Sequence, residues 1–176
     1  MSSPTVELLL EAGREELRAV GPHTLTIRTV AKRAGVSSAT AYTYLASKNR
    51  LYAELFWRFL VEDGAGAPAG ADPLERVRSV TRHLSQRLAS APELAAAVTP
   101  ALLGTDPEVE ELRLRIGGEL VRRFRAAVGA ADPALVEALG LAFSGALLQA
   151  GMGLMTYTEM GERLDAVVAV IMRGNT

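Results

Sequence analysis

The helical spacing of Ile27, Val30, Ala31 and Ala34, cut off at Gly35 and resumed after Ser37, constrains this chain more than any other feature of its sequence. Thr26 carries a hydroxyl able to accept from the unpaired N–H groups that open a helix, and the four apolar positions then recur on one face. Gly35 follows the last of them, where a left-handed backbone ends a helix without steric cost, and Val36 can turn its side chain back into the core. Ser37 or Ser38 can cap a second short helix with Ala41 and Leu45 on its inner side. Thr40, Tyr42, Thr43 and Tyr44 are then left to the rim or the outside. Ser47 restarts the chain into a third helix through Lys48, Leu51, Tyr52, Leu55, Phe56 and Phe59, whose N-terminal amides and lysine would both face an anion.

Charge adds a direction. Between Thr26 and Arg50 lie five cations, Arg28, Lys32, Arg33, Lys48 and Arg50, and no acid. The whole chain holds 19 Lys and Arg against 20 Asp and Glu, so this stretch is +5 and the remainder −6. A locally basic head on an acidic body suits binding to the phosphate backbone of DNA. Helix-turn-helix units lay their second helix in the major groove while flanking cations and helix N-termini hold phosphates. A plainer alternative stands beside this reading, because glycine-turn helix pairs occur in many all-α proteins and five cations can be a solvated face.

The stretch LTIRTVAKRAGVSSATAYTYLASKNRLYAELF also resembles the DNA-binding signature of the tetracycline-repressor (TetR) family. That signature runs as a T-x-x-x-V/I-A-x-x-A-G-V-S turn, a T-x-Y-x-Y/H-F recognition helix and then K-x-x-L. Leu45 stands where an aromatic is usual, and Ala39 and Ala41 are smaller than in many relatives. The resemblance implies that Thr40, Tyr42, Thr43, Tyr44 and Lys48 contact DNA, with Thr26, Arg28, Ser37 and Ser38 near its backbone. It further implies an all-α protein of about nine helices, a homodimer on a palindromic operator, and release by a small effector bound in the body.

Composition agrees with an all-helical fold, since 49% of the 176 residues are hydrophobic and alternating β-branched runs are scarce. A first helical stripe, Val6, Leu9, Leu10, Gly13, Leu17 and Val20, ends at Gly21-Pro22. The glycine, alanine and proline run from Gly64 to Asp72 marks a head-to-body boundary. By role, residues 1–50 are expected to form the helix-turn-helix DNA-binding domain and 51–176 an effector-binding and dimerisation domain. Further helices are predicted from Pro73 to Ala89, from Pro92 through Leu102, from Asp106-Pro107 to near Gly129, after Asp132-Pro133, and from Glu159 to Met172.

Ala138 to Thr158 is 21 residues without a charge, long enough to cross a bilayer, yet it holds Ser144, Gln149 and four glycines and no second span accompanies it. A helix buried between subunits is the preferred reading, with Gly145, Gly151, Leu164, Val168 and Ile171 as the interface. Apolar positions on inner faces make Leu84, Leu88, Thr99, Leu102, Leu103, Ile116, Leu120, Phe124, Phe143, Leu147 and Met152 the candidate pocket wall. So few polar groups imply an apolar effector. The region from Ala95 onward also loosely resembles actinobacterial regulators of steroid and lipid breakdown, which implies a lipid-like or acyl thioester ligand.

Enzyme chemistry finds no support. The two histidines, His23 and His83, lie in different regions without carboxylate partners at metal-ligand spacing, so no metal or cofactor is expected. The chain has no cysteine, which excludes thiol chemistry and suits a reducing cytoplasm. Glu7, Glu11, Glu15 and Glu16 deny the N-terminus the uncharged core of a signal peptide. The remaining alternative is a helical adaptor that binds protein, not DNA, through its smooth uncharged helix.

Overall fold

The computed structural model describes residues 3–62, 68–130 and 133–173. Among them are nine α-helices and no strand: α1 (Pro4–Thr24), α2 (Ile27–Ala34), α3 (Ser38–Leu45), α4 (Lys48–Val61), α5 (Pro73–Ser90), α6 (Pro92–Leu103), α7 (Glu110–Val128), α8 (Pro133–Gly151) and α9 (Tyr157–Met172). The all-α expectation holds. Asp63, residues 64–67 of the glycine-rich boundary and the expected cap Asp132 fall outside the described residues.

The helices fall into two compact units, Met1–Asp63 with Glu93–Arg115, and Gly64–Pro92 with Ile116–Thr176. In the first unit, Leu9, Leu10 and Leu17 of α1 share a core with Ile27, Val30 and Ala31 of α2, Ala41 and Leu45 of α3, Leu51 and Leu55 of α4, and Ala97 and Ala101 of α6. Each fully buried leucine or isoleucine contributes about 1.5–3 kcal/mol of transfer free energy. The α1–α4 crossing is close because residue 13 is glycine: a Cβ there would sit 2.9 Å from a methyl of Leu51. Gly21, at φ 73°, breaks α1 as its Gly-Pro pair predicts, although one more helical turn follows before Leu25.

In the second unit α5 and α9 are tied by an Arg82–Asp165 ion pair and by the approach of Gly161 to Ser85. Arg76 Nε donates to the carbonyl of Ala127 at 2.8 Å, fixing α5 to the end of α7. Phe124 and Phe143 meet edge to face with centroids 6.0 Å apart. The apolar helix α8, whose single charge is the exposed Glu137, is not buried all round. Leu135, Val136, Leu139, Phe143 and Ala150 form its buried stripe, and only 28% of its most apolar stretch is covered.

Two boundaries differ from the sequence reading. Asp106 and Pro107 do not open the long helix directly; they open a single 3-10 turn (Pro107–Val109), and α7 begins at Glu110. The last helix starts earlier than Glu159, because Thr156 accepts from the Glu159 amide while the Glu159 carboxylate accepts from the Thr156 amide, a reciprocal cap.

Candidate nucleic-acid interface

The two short helices form as their caps require. Thr26 Oγ1 accepts from the Thr29 amide at 3.1 Å and Thr29 Oγ1 accepts from the Thr26 amide at 3.1 Å, so α2 is closed by a reciprocal pair of hydroxyls. Gly35 takes the left-handed conformation, φ 69° and ψ 24°, and the Val36 amide donates back to the Ala31 carbonyl. Of the two serines, Ser37 is the cap of α3: its Oγ accepts from the Thr40 amide at 3.0 Å. Ser38 is the exposed first residue of that helix.

The outer face of α3 is built of hydroxyls that the protein leaves to solvent. Tyr42, Thr43 and Tyr44 are exposed, and among the described residues neither tyrosine hydroxyl has a hydrogen-bond partner. Thr43 Oγ1 donates to the Ala39 carbonyl at 3.0 Å, which leaves its lone pairs outward. Thr40 is drawn toward the cap, its hydroxyl 2.8 Å from that of Ser37, and is half-buried.

A strained joint connects α3 to α4. Ala46 sits at φ 53° and ψ −62°, and the Ser47 amide donates to the Leu45 carbonyl at 2.6 Å across it. This is a γ-turn of the rare hand, which a side chain disfavours. Nothing in the composition of Leu45-Ala46-Ser47 signals it.

The cations are not all equivalent. Arg33 pairs with Glu16 at 2.7 Å and with Glu15 at 3.5 Å, and the Glu16 hydrogen bond holds its guanidinium still more firmly protonated. Arg50 pairs with Glu108 at 3.6 Å. Lys48 donates to the His23 carbonyl. Only Arg28 and Lys32 have no partner among the described residues.

The N-terminus of α4 corrects the expectation most sharply. Ser47 caps the helix by accepting from the Arg50 amide at 3.1 Å. The anion it faces comes from the chain itself: Asp106 Oδ2 accepts from Ser47 Oγ at 2.9 Å and from Asn49 Nδ2 at 3.5 Å. These bonds, Ser47's first, hold the Asp106 carboxyl below the usual carboxylate range. Sequence reasoning missed the acidic loop because nearly sixty residues separate it from α4.

Leu84, Leu88, Ile116, Phe124 and Phe143 are buried in the second unit, with Leu120 and Leu147 half-buried. Thr99, Leu102 and Leu103 belong to the first unit, where Thr99 Oγ1 donates to the Ala95 carbonyl and Leu102 packs against Ala53, Val109 and Leu112. Leu103 and Met152 do not lie on inner faces: at the last turn of α6 and just past α8, they are 63% and 57% exposed. A 360 Å³ cleft between α5 and α9 is lined by polar groups such as Arg82, Gln86 and Glu162, and by none of the apolar candidates. Of the interface residues, Gly145 and Ile171 are half-buried and Gly151 is exposed. Leu164 and Val168 point into their own unit, since the buried stripe of α9 runs Met160, Leu164, Val168, Met172.

Residues 9–55 match the family described as bacterial regulatory proteins, tetR family. An uncharacterised HTH-type transcriptional regulator of Mycobacterium tuberculosis is 44% identical over 173 residues, which is 97% of this chain and 81% of the relative. A TetR transcriptional regulator from Rhodococcus sp. RHA1 has the same fold, with a TM-score of 0.82 at 18% identity over 97% of this chain and 96% of that one. Thermus thermophilus FadR, a TetR-family transcriptional repressor solved in complex with lauroyl-CoA, gives 0.73 at 20% identity over 97% and 95%. With its signature helices formed and a relative of this identity along nearly its whole length, the chain belongs to the tetR family of bacterial regulatory proteins and is a helix-turn-helix transcriptional regulator.

Proposed function

We propose that this regulator is a cytoplasmic repressor that binds a palindromic operator as a homodimer and is released by a small apolar effector. One observation carries the DNA reading: the face of α3 bearing Tyr42, Thr43 and Tyr44 is left to solvent, on a helix held at both ends by caps. Thr26, Arg28, Ser37, Ser38, Thr40 and Lys48 flank it as backbone contacts, with base reading assigned to Tyr42 and Thr43. The division at residues 1–50 and 51–176 is kept as a division of roles.

The dimer rests on the open side of α8 and α9. Leu141 is 68% exposed and Val170 64%, with Ser144, Val167 and the small Gly145 beside them, so an apolar face awaits cover. A two-fold pair of such faces would set two heads about one DNA turn apart, roughly 34–36 Å. The effector wall is assigned to Leu84, Leu88, Ile116, Leu120, Phe124, Phe143 and Leu147, and the acyl-CoA bound by the Thermus repressor supports a long-chain acyl thioester as the class to try. Near-complete release requires the effector to prefer the DNA-incompetent state by about 5.5 kcal/mol.

Selection from a random duplex pool tests the reading. It should return a palindrome with half-sites about one turn apart, bound by a species that light scattering finds dimeric, and lauroyl-CoA should displace the duplex. A pool without enrichment, or a monomeric protein, overturns it. The adaptor alternative, which the open apolar face of α8 also suits, is favoured only if the chain binds no duplex.

A further inference from the structure

We propose that Asp106 and Glu108, on the segment between α6 and α7, act as an intramolecular stand-in for DNA phosphate, engaging the donors at the head of α4 and so tuning the affinity of the helix-turn-helix for DNA. The inference rests on the DNA-binding reading above and adds to it a residue-level control.

Donor arithmetic carries the argument. Ser47 has a single hydroxyl proton; a carboxylate can only accept, so that proton is committed to Asp106 while a lone pair of the same oxygen accepts from the Arg50 amide. Asn49 directs one amide proton to the same oxygen. Arg50 donates to the Glu108 backbone carbonyl at 3.2 Å and pairs with its carboxylate. Three of the four side-chain donors from Ser47 to Arg50, namely Ser47, Asn49 and Arg50, are thus occupied by two acids. They stand one residue past the joint that ends α3, beside amides that carry the positive end of the helix dipole.

The acidic segment is itself braced. Asp106 Oδ1 accepts from the Glu108 amide at 3.0 Å and caps the 3-10 turn, and Arg113 ties the preceding loop by donating to the carbonyls of Leu102 at 2.8 Å and Gly104 at 2.6 Å. Below it, Val109 and Leu112 pack against Ala53 and Trp57 of α4, with Arg115 stacked 4.5 Å from the Trp57 ring centroid. All these residues belong to one compact unit. The carboxylates are therefore held in place and not merely nearby, and DNA phosphate must displace them to use the same donors.

Competition predicts a salt signature that a purely structural cap does not. Asp106→Asn removes the charge and leaves one acceptor oxygen where the carboxylate offers two, and Glu108→Gln, at an exposed residue, removes the carboxylate that pairs with the Arg50 guanidinium. Measured by fluorescence anisotropy on a random-sequence duplex, each variant should steepen the slope of log K against log salt by about one per head and tighten binding on the order of tenfold at 0.1 M salt. Far-UV CD should be unchanged. In an Arg50→Ala background the gain from Glu108→Gln should vanish, because the donor being competed for is gone.

Three results would overturn the proposal: slopes unchanged in both variants, a lower melting temperature with no change in slope, or a Glu108→Gln gain that survives Arg50→Ala and so reflects repulsion through space. If the wild-type chain binds no duplex at all, the DNA-binding reading falls and this proposal with it. Wild-type binding with unaltered variants sinks only the proposal.

Discussion

The Lys48 ammonium donates to the backbone carbonyl of His23 at 3.3 Å and lies 5.8 Å from the centroid of the Tyr52 ring. Tyr52 in turn donates its hydroxyl to the Pro22 carbonyl at 2.8 Å, and burial pushes that hydroxyl's pKa up to about 12. The head of α4 thus grips the turn that follows Gly21 from two sides, and a lysine expected to serve DNA also serves the fold.

Lys48→Ala should therefore show two losses. Affinity for operator and random DNA should fall together, with the salt slope reduced by about one per head, and stability should drop by about 1 kcal/mol through the lost hydrogen bond. Tyr42→Ala, at an exposed residue with no internal partner, should weaken operator binding more than random binding and leave the melting temperature alone. Equal losses on both DNAs for Tyr42→Ala would withdraw its reading role.

Ion pairing inside the basic stretch lowers the number of cations available to DNA. With Arg33 and Arg50 held by Glu16 and Glu108, three of the five remain, and the slope of log K against log salt should be about 2.7 per head where five would give about 4.5. Titration of random duplex between 50 and 200 mM salt distinguishes the two.

The joint at Ala46 stores strain that glycine would relieve. Ala46→Gly should stabilise the chain by about 1 kcal/mol, or roughly 2–4 °C for a protein of this size. Gly35→Ala, which forces a side chain into the left-handed conformation at the end of α2, should cost about as much. A thermal melt in which Ala46→Gly is destabilising would show that the turn is not strained.

Gly145→Leu isolates the proposed dimer. A Cβ at Gly145 meets no atom within 4 Å in the protomer, and leucine is the better helix former by about 0.8 kcal/mol. The protomer should fold as before while the partner's helix is pushed off, so light scattering should report monomer and operator affinity should collapse. A dimer of unchanged mass would place the interface elsewhere.

Acid should loosen the second unit through Glu119. Its carboxylate accepts from Arg122 at 2.7 Å and from Arg123 at 2.8 Å, and these bonds, Arg122's first, hold its pKa below the ordinary value. A depressed carboxylate pKa stabilises the fold above the unfolded value, about 4.3, and that contribution disappears as pH falls through the native pKa. Glu119→Gln should lower the melting temperature at pH 7, by on the order of 1–2 kcal/mol of stability, and the gap to wild type should close toward pH 3.

Much of the head was legible because its determinants are local. A hydroxyl at Thr26 and at Ser37, a glycine at 35 and apolar residues three and four apart each act within one turn of their own backbone, so the order of residues predicts the caps and the joint between α2 and α3. The same local logic exposes Tyr42 and Tyr44, because Ala41 and Leu45 claim the inner face. It fails at Ala46, whose strained turn is imposed by the packing of the helices on either side and has no glycine to announce it.

What the chain settles through sequence alone is the family, the all-helical fold and the recognition helix, since short-range hydrogen bonding and periodicity are written in neighbouring residues. Tertiary structure decided which charges are already paired within the chain and which faces stay open. Asp106 reaches Ser47, and Glu16 reaches Arg33, only after folding has brought distant segments within hydrogen-bond range. A helix as apolar as α8, with Glu137, Ser144 and Gln149 as its few polar side chains, carries little periodic signal to say which side is covered. Its inner stripe became known only when Phe143 met Phe124, leaving Leu141 on the opposite face in solvent.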